Sequence, residues 1–203
     1  MNLKLFLIVF GLFLVFNTNA QDISQDISRI KKWYAEIENN SDNYIKTEDV
    51  SWSSDEYYNG CGEQLTTFKN KTTNQYDKIV SYCGRDWYER TASYYFHEGI
   101  LFFVFIQDWG VEEWYTPEEL GISENDYVNH GGIDKTDKKE EYRLYFANDT
   151  CIRSLYKKVV YQEKIKPDMS SAPNENRDPE QESYTEYVKL TDDMINFLND
   201  RDE

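Results

Sequence analysis

The residues that could bind a metal or act as nucleophiles are few and widely spaced in this chain of 203 residues. The two histidines, His97 and His130, begin no His-x-x-x-His spacing, and the three cysteines form no Cys-x-x-Cys pair. Zinc sites use such spacings because one short segment then presents two ligands to one ion. A Cys–His nucleophile would need Cys151 beside a histidine, whereas the pattern favours a partly buried thiol and two surface imidazoles. The sequence predicts no metal site, no cofactor and no catalytic cysteine.

Neighbouring carboxylates are the other candidates for chemistry. Glu112-Glu113, Glu118-Glu119 and Asp192-Asp193 have the residue types that glycoside hydrolysis uses in pairs. The chain holds 38 acidic residues, however, so adjacent pairs are expected and indicate a solvated surface. Glycine loops for phosphates or dinucleotides and the Gly-x-Ser-x-Gly motif are absent from the sequence. We therefore expect a non-enzymatic protein that binds a partner or a ligand. The alternatives are a carboxylate-dependent hydrolase and an envelope maintenance or inhibitor protein.

The charge of the chain excludes two classes of partner. There are 22 Lys and Arg against 38 Asp and Glu, which gives a formal net charge of −16. Proteins that bind duplex nucleic acid neutralise phosphates with clustered Lys and Arg, and anionic membrane surfaces attract the same residues. The chain is not a solvated acidic tail either, because 16% of it is aromatic. We expect no nucleic-acid binding and a partner that is either a protein or a small ligand.

Aromatic residues are the compositional excess that suggests a binding site. Trp109, Trp114 and Tyr115 lie close together in the sequence, in a stretch with weak strand periodicity. Exposed Trp and Tyr contribute a large contact area at low entropic cost, so these three could form a recognition patch. The alternative is that they cover a face of the sheet that a single helix cannot cover.

The first 20 residues have the pattern of an export signal. Lys4 precedes an apolar run over 5–16, and a short polar stretch ends at Ala20. These are the charged, apolar and small-residue regions of a secretory signal peptide, and the apolar run is too short to span a bilayer. We expect cleavage before Gln21, a periplasmic or extracellular location and no stable membrane insertion afterwards.

The remaining pattern predicts an α+β fold. Apolar residues at helical spacing predict an amphipathic helix over about 24–39, packed on an antiparallel meander of five to seven strands. Predicted strands occupy about 45–52, 63–69, 76–83, 88–96, 100–107, 141–146 and 150–156. The short spacing between them favours antiparallel hairpins over crossover connections.

Composition divides the chain into four parts. Residues 1–20 are the predicted signal peptide, and 21–166 form the α+β domain with an aromatic insertion at 108–139. Residues 167–183 resemble a disordered linker because they are rich in Pro, Asn, Glu and Asp. Residues 184–203 contain a predicted C-terminal helix, capped by Thr191 and joined to the domain by that flexible tether.

The hairpin between the second and third predicted strands suggests a disulfide. If it is centred on Thr72, Leu65 faces Ile79 and Cys61 faces Cys83. Cβ atoms of directly opposed residues lie about 4.5–5.5 Å apart, close enough for a bridge after small adjustments. An exported protein meets an oxidising compartment, so we expect a Cys61–Cys83 disulfide and a free Cys151. The alternative is three small buried residues that never pair.

Two segments carry a resemblance to a known family. Residues 94–105 read YYFHEGILFFVF, and residues 141–148 read EYRLYFAN, followed by Ile152-Arg153. With the N-terminal helix, this order resembles a family of small exported bacterial proteins with YYF-x-x-G-x-LFFVF and E-x-R-x-YF-x-N-G-x-x-IR hairpins. The resemblance implies export and an antiparallel sheet, and it brings no activity and no site residue. Cys61, Cys83 and Asp149 depart from the family pattern, which has Gly, an aromatic residue and Gly at these positions.

Overall fold

A computed structural model describes residues 22–52, 63–129, 131–162 and 168–201. The chain divides into two compact units, Met1–Ser41 and Asp42–Glu203. In the first unit, helix α1 covers 22–39, close to the predicted 24–39. A Lys32–Glu36 ion pair of 3.7 Å links successive turns of this helix, and the side chain of Asn40 donates to the Glu36 carbonyl at its end. The predicted packing of α1 on the sheet stays a prediction.

The second unit is built on one antiparallel sheet, which confirms the predicted α+β class. Its described residues form eight strands in sequence order, each hydrogen-bonded to the next. The strands are β1 Tyr44–Trp52, β2 Glu63–Asn70, β3 Tyr76–Arg85, β4 Tyr88–His97, β5 Ile100–Trp114, β6 Asp134–Ala147, β7 Thr150–Tyr161 and β8 Glu175–Arg177. The count exceeds the predicted five to seven because β8 has three exposed polar residues and therefore no hydrophobic alternation.

Two tight turns lie where the sequence places them. Glu98 and Gly99 join β4 to β5 with φ of 53° and 79°, and Asn148 and Asp149 join β6 to β7 with φ of 51° and 59°. Two successive residues with positive φ match the right-handed twist of the flanking strands. The predicted positions of both turns are confirmed.

The predicted register between β2 and β3 is wrong by two residues. Leu65 lies opposite Ser81, not Ile79, because the hairpin is centred on Thr73 and not on Thr72. The side-chain oxygen of Asn70 accepts from the backbone N–H groups of Thr72 and Thr73, and a bulge follows Phe68. A shift of two keeps each side chain on its face but changes its neighbour across the hairpin.

The disulfide was expected because a hairpin centred on Thr72 would place the two cysteines directly opposite each other. The observed register does not support that reason. Cys83 is buried near the end of β3 and lies opposite Arg90 of β4. Cys61 lies outside the described residues, so the Cys61–Cys83 bond stays a prediction. Cys151 is a free, buried thiol in β7, and burial raises its pKa to about 11. It is therefore protonated and a poor nucleophile at neutral pH.

The two ends of the predicted insertion at 108–139 are strand. β5 continues to Trp114 and β6 begins at Asp134, so the connection proper is 115–133, with helices α2 Pro117–Leu120 and α3 Glu124–Asn129. Bulges after Val111 and after Glu113 interrupt the alternation that would have revealed the strand. Thr116 caps α2, and its backbone N–H donates to the Glu119 carboxylate at 2.9 Å.

The C-terminal helix α4 spans Tyr184–Arg201 and packs on the sheet. It begins seven residues before the predicted cap: Ser183 accepts from the Glu186 N–H at 3.3 Å, whereas Thr191 is buried inside the helix. The stretch favoured by composition as a linker contains β8 and a 3-10 helix, Pro179–Gln181.

The core lies between α4 and one face of the sheet, called here the α4 face. Leu190, Met194 and Leu198 of α4 belong to one buried cluster with apolar residues of the strands. Those strand residues include Val50, Leu65, Ile79, Tyr94, Val104, Leu144 and Phe146. The helix is thus part of the core of the second unit rather than a tethered appendage.

Candidate functional site

The three predicted binding residues lie in different surroundings. Trp109 is half-buried within β5 and lines a cavity. Trp114, five residues further on and so about 16 Å along the strand, is 38% exposed. A Cβ atom on Gly132 would lie 2.7 Å from its ring, so this glycine makes room for the indole. The backbone N–H of Tyr115 donates to the Ile133 carbonyl at 2.9 Å.

The cavity beside Trp109 has a volume of about 380 Å³ and is named here the Trp109 pocket. It is lined by Glu89, Thr91, Gln107, Asp108, Trp109, Lys139 and Tyr161. Its volume is within the range of sites for small ligands, which combine an apolar surface with a few polar groups. The pocket therefore contains an indole, a phenol, an amide, a hydroxyl, an ammonium group and the carboxylate of Glu89, whereas the Asp108 carboxylate is bonded to Arg90.

Strand register determines the arrangement of the pocket. Glu89 of β4 lies opposite Trp109 of β5, and Trp109 lies opposite Lys139 of β6. Directly paired residues in neighbouring strands point to the same face of a sheet. The three side chains thus form one row on the face opposite α4, called here the second face, with the indole between two opposite charges.

A second row on the same face supports the first. Thr91 lies opposite Gln107, and Gln107 lies opposite Glu141. The amide of Gln107 donates to the Glu141 carboxylate at 3.2 Å, and Arg143 donates to the same carboxylate at 2.6 Å. Glu141 is only 6% exposed. A buried carboxylate needs such partners, and their fixed geometry orients Gln107 at the edge of the pocket.

The indole of Trp109 is held by a hydrogen bond across the sheet. Its Nε1–H donates to the hydroxyl of Tyr161, at the end of β7. Burial is the main cause that raises the pKa of Tyr161; the bond from Trp109 acts against it, and the charges of Asp137 and Glu89 raise the pKa further. The negative charge of Glu89 therefore acts on Tyr161 across the pocket.

Glu89 itself is positioned by Tyr82 of β3. Partial burial raises the pKa of Tyr82, and the charge of Glu89 and a hydrogen bond to it raise that pKa further. The Tyr82 ring lies over Gly84: a Cβ atom there would come within 2.5 Å of the tyrosine oxygen. Gly84 thus provides the space in which Tyr82 reaches Glu89. Lys139, at the other end of the row, forms no ion pair with any residue that the structure describes.

The sequence did not single out Glu89, Gln107, Lys139 or Tyr161. All four lie beyond or near the predicted ends of their strands, where no alternation was recognised. Trp109 was identified by its residue type alone. If predicted strand β5 is extended to Val111 and β6 is extended back by the same length, Trp109 lies beside Lys139. Antiparallel pairing continues in this way until a bulge interrupts it.

The carboxylates of the α4 face are tied into ion pairs. Arg90 donates twice to Asp108, at 2.7 Å each, and Tyr88 donates to the same carboxylate at 3.3 Å. Glu140 lies directly opposite Asp108, accepts from the Tyr156 hydroxyl and pairs with Lys138 at 3.1 Å. Two carboxylates in direct opposition repel each other, and the bonds from these partners offset that repulsion.

This pair of carboxylates does not fit a hydrolase. Burial raises the pKa of Glu140, but the hydrogen bonds from Tyr156 and Lys138 outweigh it and lower the pKa. The hydrogen bond from Lys158 lowers the pKa of Glu112 in the same cluster. A glycosidase needs one carboxylic acid with a raised pKa to protonate the leaving group. The ion pairs of Glu140 and Glu112 produce the opposite shift.

The paired acids that the sequence offered for hydrolysis are surface groups or ion-pair partners. Glu112 pairs with Lys158 at 2.5 Å, and Glu119 pairs with Lys135 at 2.7 Å and caps α2. Asp192 and Asp193 are exposed on α4. Over the described ranges, there is no group of three or more His, Cys, Asp or Glu residues that could hold a metal ion.

A second cavity, of about 410 Å³, lies where β1 and β2 meet the end of α4. Its lining includes Leu198, which belongs to the core, and two cations that stack on rings of their own. Lys69 lies 5.1 Å from the ring centre of Tyr76, and Arg201 lies 5.5 Å from that of Phe197. Because these cations are already partnered, the Trp109 pocket is the better candidate site.

Comparison of the chain with protein-family models, with curated proteins and with solved structures finds no match. Among the described residues, no helix has both the length and the apolar character needed to cross a membrane.

Proposed function

We propose that this protein is a non-enzymatic binding protein that takes a small ligand in the Trp109 pocket. The row formed by Glu89, Trp109 and Lys139 beside a cavity of about 380 Å³ is the observation that carries the proposal. An oriented indole supplies contact area, and flanking polar groups supply direction and specificity. Trp114 and Tyr115 remain candidates for contact with a larger partner.

The proposal also includes export. It rests on the pattern of residues 1–20, which is that of a cleaved signal peptide. N-terminal sequencing of the protein from the exported fraction of an expressing cell should begin at Gln21. Retention of residues 1–20, or recovery only from the cytoplasm, would contradict this part of the proposal.

Binding can be tested by NMR on ¹⁵N-labelled protein lacking residues 1–20. We would titrate it with a panel of amino acids, short peptides, mono- and disaccharides and small organic acids. At least one class should shift the indole N–H signal of Trp109 and the backbone signals of Gln107 and Lys139. The indole signals of Trp87 and Trp114, which lie outside the pocket, should stay in place and serve as internal references.

Substitution then assigns the site. Trp109→Ala should weaken the binding at least tenfold, because the central contact surface is lost, while Trp114→Ala should change it less than twofold. Each bound compound should be recovered unchanged after prolonged incubation. A panel without any binder, or shifts confined to other surfaces, would refute the proposal, and turnover of a bound compound would favour the hydrolase.

A further inference from the structure

We infer that the ligand of the Trp109 pocket is a zwitterion of the size of a dipeptide, with its ammonium group at Glu89 and its carboxylate at Lys139. This inference rests on the proposed binding function and specifies its ligand. It follows from three properties of the row: the signs of the two end charges, their separation, and the ring between them.

The end charges are opposite and lie on different strands. Glu89 is exposed on β4 and Lys139 is half-buried on β6, with β5 between them. Neighbouring strands lie about 4.8 Å apart, so the two attachment points are about 10 Å apart. Lys139 has no ion-pair partner among the described residues. An ammonium group without a carboxylate beside it is a ready site for an anion on a ligand.

The separation selects the size of the ligand. A charge-assisted hydrogen bond is about 2.8 Å long. Side chains stand roughly perpendicular to a sheet, so the two charges are separated by about as much as their attachment points. Two such hydrogen bonds in line with the row leave roughly 4 Å between the ligand's ammonium and carboxylate groups, and more when the ligand lies above the indole. In an extended dipeptide these groups are about 6 Å apart. A free amino acid is too short to reach both ends, and a tripeptide needs the longer arrangement.

The indole ring of Trp109 determines which group fits in the middle of the ligand. The hydrogen bond to Tyr161 fixes the Trp109 indole between the charges, where it can contact a peptide unit or an apolar side chain. A single anion or a single cation fits less well, because the other end of the row would repel it. A neutral sugar would form hydrogen bonds in which only the protein group is charged, so it would lack the attraction between opposite charges that a zwitterion gains at both ends.

Glu89 also has a neighbour on the same face that favours one orientation of its side chain. Tyr82 reaches it from β3 across the space that Gly84 leaves free. A side chain with a fixed position loses less entropy when a ligand binds. The row is thus organised before the ligand arrives, at its carboxylate end through Tyr82 and at its centre through Tyr161.

The test uses the dipeptide Ala-Phe and its capped forms: N-acetyl-Ala-Phe, Ala-Phe-amide and the doubly capped compound. Each is titrated into the ¹⁵N-labelled protein, with the Trp109 indole signal as the readout. For the wild-type protein, each cap should weaken binding about tenfold, since it removes one charged contact. In Glu89→Gln, the acetyl cap should no longer matter while the amide cap still does. Lys139→Gln should show the reverse.

Two matched variants control for nonspecific charge effects. Lys138→Gln changes the neighbouring residue, which points to the α4 face, and Glu98→Gln changes an exposed residue in the β4–β5 turn. Both should keep the wild-type preference for the uncapped dipeptide. Unchanged backbone spectra would show that all four variants are folded.

The outcomes separate this inference from the proposed function. If both caps leave binding unchanged, or if both variants weaken all four compounds equally, the zwitterion inference is wrong. If Ala-Phe fails to bind while a sugar or an organic acid shifts the Trp109 signal, the inference is wrong and the binding function stands. If nothing shifts that signal, both fail.

Discussion

At the scale of single residues, the ion pair between Arg90 and Asp108 carries a measurable share of stability. Asp108 is 6% exposed and faces Glu140 across the β5–β6 ladder, and the two bonds from Arg90 stabilise its carboxylate there. Removal of one partner leaves a buried charge uncompensated. Arg90→Met should therefore lower the free energy of unfolding by about 2–3 kcal/mol, measured by urea denaturation.

The double variant Arg90→Met/Asp108→Leu is the control for that measurement. It replaces the pair by apolar side chains of similar size, which is often neutral or even stabilising. It should regain most of the loss, because no charge is left unpaired and the repulsion on Glu140 disappears. A single variant within about 0.5 kcal/mol of wild type would mean that water already satisfies Asp108.

At the scale of elements, the packing of α4 gives the next prediction. Met194 is completely buried between the helix and the sheet. Met194→Ala should cost about 2–4 kcal/mol, because it removes buried methylene contacts and leaves a cavity. Asn199→Ala, on the exposed side of the same helix, should change stability by less than about 0.5 kcal/mol. Equal urea midpoints for both variants would show that α4 only rests on the sheet.

Hairpins were predictable from the sequence wherever local chemistry defines them. The turns at Glu98-Gly99 and Asn148-Asp149 were located correctly because each contains Gly, Asn or Asp, which adopt positive φ at low cost. The β2–β3 register was not, since a bulge after Phe68 and the bonds to the Asn70 side chain shift the centre by one residue. Bulges are not visible in the alternation of a single sequence.

The candidate site was less predictable than the fold for a related reason. Trp109 stood out by type, but its neighbours come from β4, β6 and β7. Their convergence depends on pairings over 20 to 52 residues of sequence, such as Glu89 with Trp109 and Trp109 with Tyr161. Only the full register of the sheet reveals that Glu89, Trp109 and Lys139 form one row.

At the scale of the whole molecule, the acidic charge and the ion pairs act on stability in opposite directions as pH falls. The net charge of −16 at neutral pH means that the folded chain repels itself, and protonation towards the isoelectric point near 4.5 relieves this repulsion. The pKa of Glu112 is lowered in the folded protein mainly by the hydrogen bond from Lys158. Burial raises the pKa of Glu140, but the hydrogen bonds from Tyr156 and Lys138 together outweigh it and lower that pKa. These carboxylates therefore stay charged and paired over the same range.

Stability should for this reason be highest near pH 5 and fall below it. A group with a lowered folded pKa stabilises the protein above its unfolded pKa, which is about 4.3 for Glu. Its contribution disappears as pH falls through the folded value. Urea denaturation of the wild type at pH 7, 5, 4 and 3 should show a flat or slightly rising free energy of unfolding down to pH 5, followed by a decline.

Glu140→Gln separates the two effects, because an amide keeps the shape of the side chain but has no charge to lose. The variant should be less stable than wild type at pH 7, and the difference should shrink towards pH 3, where the wild-type carboxyl is also neutral. Glu98→Gln removes an equal charge from an exposed turn, and its stability should follow the wild-type profile. A constant difference between Glu140→Gln and wild type from pH 7 to pH 3 would show that the Glu140 pairing does not cause the decline in the free energy of unfolding below pH 5. The decline would then have to arise from the general gain of positive charge by the whole chain.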